Sequence, residues 1–157
     1  MEVERVSTTH NKDYSIIKLI FGHLRIAFVQ ARPKLGSEQM EDLLKECLEK
    51  TDLIVGDFNS HVPGLLLGKQ IVNLRGKIIQ QELLVRSLLI TNPAGIPTWI
   101  NKNSQSIIDL SISTTNYRTT IQEVAPKDHR ALVIHTNSYV EPRTILKRPA
   151  AGATGEI

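Results

Sequence analysis

The chain has 157 residues, of which 41% are hydrophobic and 22% are charged, a balance typical of a single soluble globular domain. Its one cysteine, Cys47, excludes an internal disulfide and a metal cluster built from several thiolates. The formal net charge of +3 permits binding to a phosphate backbone without requiring it. We find no signal peptide and no apolar run long enough to cross a bilayer. We therefore expect a nuclear or cytoplasmic protein with no membrane partner.

The first part of the chain predicts a β-hairpin that follows an irregular terminus. Residues 1–15 are polar and show no periodic pattern, so we expect a frayed or disordered segment. Strands are predicted at 16–21 and 24–30, and Gly22-His23 between them is a suitable tight turn. The predicted domain therefore spans residues 16–137.

The clearest helix is predicted at residues 37–50. Ser37 is a suitable N-cap, and acidic residues in the first turns favour the positive end of the helix dipole. Apolar residues recur every three or four positions and predict the buried stripe, Met40, Leu43, Leu44, Cys47 and Leu48. Because a hairpin, this helix and a buried strand at 53–55 follow in order, the pattern indicates a crossover unit of an α/β sheet.

The rest of the chain predicts a second helix and several short strands. The helix spans 75–87, with these residues inward: Ile78, Ile79, Leu83 and Leu84. A Gly- and Pro-containing loop precedes it at 61–70. Extended segments are predicted at 88–91, 98–100, 106–112, 118–124 and 131–136. Residues 138–157 have the composition of a linker or disordered tail.

The end of the strand at 53–55 carries the most informative polar residues. Gly56 follows the strand and allows a turn that a side chain would block. Asp57 and Asn59 come next, and side chains two apart in extended chain point to the same side. Because ligands of open α/β sheets bind at strand ends, a carboxylate and an amide here suit a metal, a water nucleophile or a phosphate. An ordinary Asx turn is the structural alternative.

A second acid lies within an apolar strand. Asp109 interrupts the pattern at 106–112, and its burial is costly unless another group pairs with it. Hydroxyls precede it at Thr98 and Ser106, and Asp128-His129 lies just before the last strand. These segments each place acids, amides or hydroxyls at a strand end or on a polar strand face.

The order of these segments resembles the endonuclease/exonuclease/phosphatase family, and more narrowly the endonuclease of non-LTR retrotransposons. The resemblance covers about residues 16–136 and is carried by Gly56-Asp57-Phe58-Asn59-Ser60-His61, Pro97-Thr98, Ile108-Asp109-Leu110 and Asp128-His129. It implies the C-terminal part of a four-layer α/β sandwich, here a partial one, with a mostly antiparallel sheet and two main helices. This places the fold in the α/β (α+β) class.

The resemblance also implies a role for each matching residue. The catalytic set would be Asp57 for the attacking water, Asn59 for positioning that water or the phosphate, Asp109 for orienting a histidine, and His129 as that histidine. Asp128 would lie near a divalent metal, Mg²⁺ or Mn²⁺, and Thr98 would contact the substrate phosphate. His61 and Lys127 are further candidates at the phosphate, although His61 could equally pack against its turn. The implied activity is metal-dependent nicking of DNA.

Three departures from the family weaken the prediction of activity. The family's first half normally supplies an asparagine and the glutamate that is the main metal ligand, and no segment here corresponds to it. Gln30 replaces a tyrosine, and Lys127 replaces a serine. A half sandwich also leaves one sheet face uncovered, so we expect a homodimer or a second polypeptide that supplies the missing half.

Two other functions stay open at this point. The chain could be a degenerate or truncated remnant that binds nucleic acid or a protein without cutting, which the missing glutamate favours. It could also be a phosphoesterase acting on a small substrate, since the wider family includes such enzymes. The retrotransposon-like residues 56–61 argue against the small-substrate function.

Overall fold

The computed structural model describes residues 3–65, 73–124 and 128–139. It contains two α-helices among short and medium strands. In chain order the elements are β1 (Val3–His10), β2 (Tyr14–Phe21), β3 (Leu24–Ala31), α1 (Ser37–Leu48), β4 (Leu53–Asp57), α2 (Leu74–Val85), β5 (Leu89–Ile90), β6 (Trp99–Ile100), β7 (Gln105–Ser106), β8 (Asp109–Ser113), β9 (Tyr117–Gln122) and β10 (Ala131–Tyr139). No helix in these ranges is long and apolar enough to span a membrane.

The main sheet has six strands in the order β1-β2-β3-β4-β8-β5. Only the β3–β4 pair is parallel, and α1 makes the crossover between its two strands, as the sequence predicts. The other pairs in this sheet are antiparallel, and two further antiparallel ribbons are formed by β9–β10 and β6–β7. The predicted architecture, a mostly antiparallel sheet with two helices, is confirmed.

The N-terminal segment corrects the prediction of a frayed terminus at residues 1–15. Residues 3–10 form β1, which pairs antiparallel with β2 from Val3 opposite Phe21 to His10 opposite Ser15. Seven of its eight residues are exposed, so the strand shows no apolar alternation in the sequence. Backbone hydrogen bonds to a neighbouring strand, rather than burial, hold it in place.

The helices differ from the prediction mainly at their ends. Gly36, not Ser37, is the N-cap of α1, and no side chain caps that end. Asn73 caps α2, where its side-chain oxygen accepts a hydrogen bond from the Gly76 N–H at 2.8 Å. The predicted inward position of Leu84 is wrong, because this side chain is 71% exposed. The predicted stripe of α1 is buried as a whole: Met40, Leu43, Leu44, Cys47 and Leu48.

The core lies between the helices and one face of the main sheet. On that face Ile16 and Val29 are opposite each other in the β2–β3 pair and are 1% and 5% exposed. The next pair, Ile17 opposite Phe28, points to the other face and is 40% and 42% exposed. One sheet face is therefore packed, while the other keeps apolar side chains in contact with solvent.

Candidate functional site

The two acids of the predicted site lie side by side at the ends of two neighbouring strands inside the main sheet. Asp57 ends β4, Asp109 begins β8, and the two residues are directly opposite each other in the antiparallel pair. Directly opposed residues share a face of a sheet, so both carboxylates point the same way. Each side chain is only 14% exposed. The predicted strand residue Asp109 is thus brought next to the motif that follows β4.

Asn59 fixes the chain that follows β4. Its backbone N–H donates to Asp57 Oδ1 at 2.9 Å. This contact forms the Asx turn that the sequence offered as the alternative to a ligand site. Its side-chain amide donates to the carbonyl of Ala31 at 2.6 Å. The residue has a φ of 46°, a left-handed conformation that Asn tolerates better than most residues. Asn59 therefore ties this loop to the end of β3 and keeps the Asp57 carboxylate in one orientation.

His129 completes the cluster from a distant segment. Its Nδ1 lies 2.8 Å from Asp109 Oδ2, within hydrogen-bond distance, and its Nε2 lies 3.8 Å from Asp57 Oδ2. The imidazole is 45% exposed, so it is the member of the cluster most open to a substrate. Its backbone is held by an isolated bridge to Trp99 on β6. Asp109 thus has the partner that its burial requires.

The three groups alter each other's protonation. Burial, followed by the nearby charge of Asp109, raises the pKa of Asp57 to about 6, against the opposing effects of Asn59 and His129. Burial also raises the pKa of Asp109, although its hydrogen bond with His129 acts in the other direction. Burial alone would lower the pKa of His129, but the hydrogen bond and charge of Asp109, with the charges of Asp57 and Asp128, raise it above its ordinary value.

Thr98 is hydrogen-bonded to the backbone that leads into β8. Its side chain is completely buried. Its oxygen accepts hydrogen bonds from the N–H groups of Ile108 and Asp109, both at 3.1 Å. The same hydroxyl lowers the pKa of Asp109, which limits the rise that burial causes. Thr98 therefore holds the backbone of Asp109 in place, and its contact with a substrate phosphate stays a prediction.

Sequence reasoning missed two groups that support the site. Asn92, which follows β5, donates to the carbonyl of Asp109 at 2.9 Å and accepts from the Ser111 N–H at 2.9 Å. Thr91 joins the hydroxyls of Ser111 on β8 and Thr119 on β9, at 2.6 and 3.0 Å. This buried polar contact connects the main sheet to the ribbon whose β10 follows His129. A hydroxyl beside a turn motif gives no sequence signal for such a role.

The other predicted residues lie around the cluster. Asp128 is exposed, and its carbonyl accepts from the Ile100 N–H at 2.9 Å. His61 is half-buried beside α2, where burial and then the charge of Arg75 lower its pKa. Across the described ranges, no hydrogen bond or ion pair joins its side chain to the acids or to His129. The prediction for Lys127 lies outside the described residues.

The donor set of the cluster fits a divalent cation. One ligand atom from each of Asp57, Asp109 and His129 lies within 4.8 Å of the others, the one such group of three in the described part of the chain. Two carboxylates with raised pKa values gain from a nearby positive charge. Oxygen ligands suit Mg²⁺, and the imidazole nitrogen makes Mn²⁺ equally acceptable.

Comparisons with known proteins point to one family. A family model described as endonuclease-reverse transcriptase matches residues 24–133, which is more than half of the chain. No curated protein matches the chain. The chain is similar to the endonuclease domain of TRAS1, a telomere-specific non-LTR retrotransposon, with a TM-score of 0.58 and 19% identity over 78% of this chain. It covers 63% of that domain, less than two thirds of its length.

A second solved structure is similar at a lower level. It is an endonuclease/exonuclease/phosphatase family protein from Leptotrichia buccalis C-1013-b, with a TM-score of 0.45 and 12% identity. The match covers 85% of this chain and 60% of that protein.

Proposed function

We propose, from the premise that this chain belongs to the endonuclease-reverse transcriptase family, that it is a nuclease domain that nicks DNA by metal-dependent hydrolysis of phosphodiester bonds. The family predicted from the four sequence motifs is confirmed by that match. One observation carries the proposal. Side chains from three separate segments, Asp57, Asp109 and His129, come together where β4 ends and β8 begins. DNA is the proposed substrate.

His129 is the group proposed to meet the scissile phosphate. With Asp109 accepting the Nδ1 proton, Nε2 is left to donate to a phosphate oxygen, and it lies 3.8 Å from Asp57 Oδ2. The hydrogen bond and charge of Asp109 raise the pKa of His129 against the effect of burial, which stabilises the imidazolium form, and an imidazolium donates to phosphate oxygens as negative charge develops. Asp109 and Thr98 then act by fixing the ring and its charge.

Asp57 is proposed to orient and deprotonate the attacking water. In the metal-free cluster the pKa of Asp57 is about 6, so this carboxylate has a higher proton affinity than an ordinary aspartate, which favours a role as general base. The 3.8 Å gap between its Oδ2 and His129 Nε2 is too long for a direct hydrogen bond. Both atoms are therefore available to a water or a phosphate oxygen between them. Asn59 keeps the carboxylate in place through its N–H.

Asp57 and Asp109 are the residues of this chain that would hold Mg²⁺ or Mn²⁺, with Asp128 as a proposed outer ligand. The bound cation would offset the charge of the phosphate oxygens and so permit attack by a nucleophile. His61 and Lys127 are retained as proposed phosphate contacts on the strength of the family resemblance alone.

A nicking assay on supercoiled plasmid tests this function. With Mg²⁺ or Mn²⁺ present, Asp57→Ala and His129→Ala should each reduce the rate by roughly 10²–10⁴, because each removes a proposed proton-transfer or charge-stabilising group. Asp42→Ala on α1 and His23→Ala in the β2–β3 turn are matched controls with exposed side chains, and both should retain the wild-type rate. Equal rates for wild type and both site variants would contradict the proposal.

One observation favours a second function, a domain that binds DNA without cutting it. Gln30 lies directly opposite Asp57 in the β3–β4 pair, where the family resemblance leads us to expect a tyrosine. If wild type is inert in the plasmid assay but binds DNA with an affinity that falls with salt, this second function replaces the first.

The exposed apolar face of the sheet is proposed to bind a second copy of the chain or a second polypeptide. Ile17, Phe21 and Phe28 are each 40–42% exposed on this face. Covering such side chains with another protein surface is favourable by about 25 cal/mol per Å². We expect light scattering at micromolar concentration to give twice the monomer mass, or the monomer mass until the second polypeptide is added. A soluble monomer that gains no partner would contradict this.

A further inference from the structure

The turn between β3 and α1 carries two free cations beside the site. Arg32 and Lys34 are both exposed, with Pro33 between them. No ion pair between described residues involves either side chain. A cation without an acidic partner on the protein surface is available to an anionic ligand.

The turn lies close to the catalytic cluster. The turn begins at Arg32, directly after Ala31. The carbonyl of Ala31 accepts a hydrogen bond from the side-chain amide of Asn59 at 2.6 Å. Gln30, just before it, is opposite Asp57. Because consecutive Cα atoms are 3.8 Å apart, Lys34 is at most about 11 Å of chain from Ala31. When one phosphate is bound at the cluster, both cations can therefore contact a phosphate a few nucleotides away on the same DNA strand.

Several contacts hold the turn in a fixed conformation. The Arg32 N–H donates to the carbonyl of Asp13 at 2.9 Å, and the Leu35 N–H donates to the carbonyl of Arg32 at 3.1 Å. The guanidinium of Arg75, at the start of α2, donates to the carbonyls of Pro33 and Leu35. A basic turn that is already ordered loses little conformational entropy when it binds.

The charges next to the turn restrict the direction of an approaching polyanion. The adjacent helix α1 and the two residues after it expose four acidic side chains against two basic ones, so this surface is net negative. The acidic residues are Glu38, Glu41, Asp42 and Glu49, and the basic ones are Lys45 and Lys50. This surface repels a phosphate backbone, whereas the turn attracts it. A nucleic-acid strand bound in the site is therefore directed over the turn and away from α1.

We propose that Arg32 and Lys34 form the contact surface for the DNA phosphate backbone next to the scissile bond. This inference rests on the proposed function for its ligand, and it assigns binding rather than catalysis to the two side chains. Because phosphate contacts of this kind position a duplex without reading its sequence, the turn supplies affinity and register.

Binding of a short duplex oligonucleotide, measured by fluorescence anisotropy in EDTA across about 50–200 mM salt, tests the proposal. The double variant Arg32→Gln/Lys34→Gln should bind roughly tenfold more weakly at 100 mM salt and lower the slope of log K against log salt by about 2, since two counterion-releasing contacts are lost. The matched control Lys45→Gln/Lys50→Gln removes the same charge from α1 and the residues after it, and should leave the slope unchanged.

The outcomes separate this inference from the proposed function. Equal slopes for the two double variants, or no DNA binding by wild type, would overturn it. If wild type nicks plasmid but the Arg32→Gln/Lys34→Gln slope equals that of wild type, only this inference fails. If the slope falls as expected while no preparation nicks, the contact surface stands and the hydrolytic function fails.

Discussion

Gly56→Ala is expected to lower the free energy of unfolding by about 3 kcal/mol or more, because the added methyl group would meet the backbone of Val29 and the two paired strands would have to move apart. Gly56 lies within β4, between Val29 on β3 and Leu110 on β8. A Cβ at this position would collide with the carbonyl oxygen of Val29 and lie 2.7 Å from its backbone nitrogen. The φ of 152° adds backbone strain for any residue with a side chain.

Urea denaturation of the variant and of a matched control measures this effect. Gly36→Ala is a suitable control, since Gly36 has a φ of −81° and only the flexible end of Gln39 lies near the added Cβ. We expect a loss below about 1 kcal/mol for the control, as for an ordinary N-cap substitution. Similar midpoints for the two variants would show that β3 and β4 do not approach each other as closely as described. The same close approach brings Gln30 and Asp57 together.

Asp57→Asn is expected to raise the stability of the fold above pH 6 while it abolishes nicking. In the folded chain the pKa of Asp57 is about 6, against an ordinary value of 3.8, because of burial and the charge of Asp109. The folded state therefore binds the proton more tightly than the unfolded state, and stability falls as pH rises from about 4 to about 6. The neutral amide removes this loss and can still accept from the Asn59 N–H.

The expected gain is about 1–2 kcal/mol at pH 8, less than the full shift of the pKa would give, since the carboxylate retains some contact with solvent. At pH 4 the variant and wild type should have nearly equal urea midpoints, because Asp57 is then protonated in the folded state. Asp42→Asn, an exposed site on α1, should change stability by less than about 0.5 kcal/mol at either pH. An equal gain at pH 4 and pH 8, or a loss at pH 8, would contradict the assigned pKa.

The Asp57→Asn prediction describes a site that is maintained at a cost in stability. Two carboxylates at 14% exposure, directly opposite each other, repel one another unless a proton, an imidazolium or a cation lies between them. A protein without a function at this site would gain stability if one of the acids were replaced. The destabilising arrangement therefore agrees with the proposed nuclease function, in which burial, and then the same repulsion, raise the pKa of the general base.

Local sequence patterns determined the elements that are buried on one side. The stripe of α1 recurs at helical spacing, and the two-residue turn Gly22-His23 joins two apolar strands, so both were predicted with nearly the observed bounds. The strand β1 was missed because its residues are exposed and only its hydrogen bonds to β2 define it. The predicted helix ends differ from the observed ones by one or two residues. The N-cap of α1 is an example, because it is Gly36 and no side-chain cap marks the start.

By itself, the sequence pointed to the candidate site, because Asp57, Asp109 and His129 each stand out against an apolar or turn-forming segment and their order resembles one family. Only the tertiary structure decided which of these groups touch, that Thr98 supports Asp109 from the interior, and that the turn after β3 starts at the strand end paired with Asp57. The physical reason is that periodicity reports burial along one element, whereas a contact between segments depends on strand register and on how closely backbones approach. Neither quantity is encoded in the residues of a single segment.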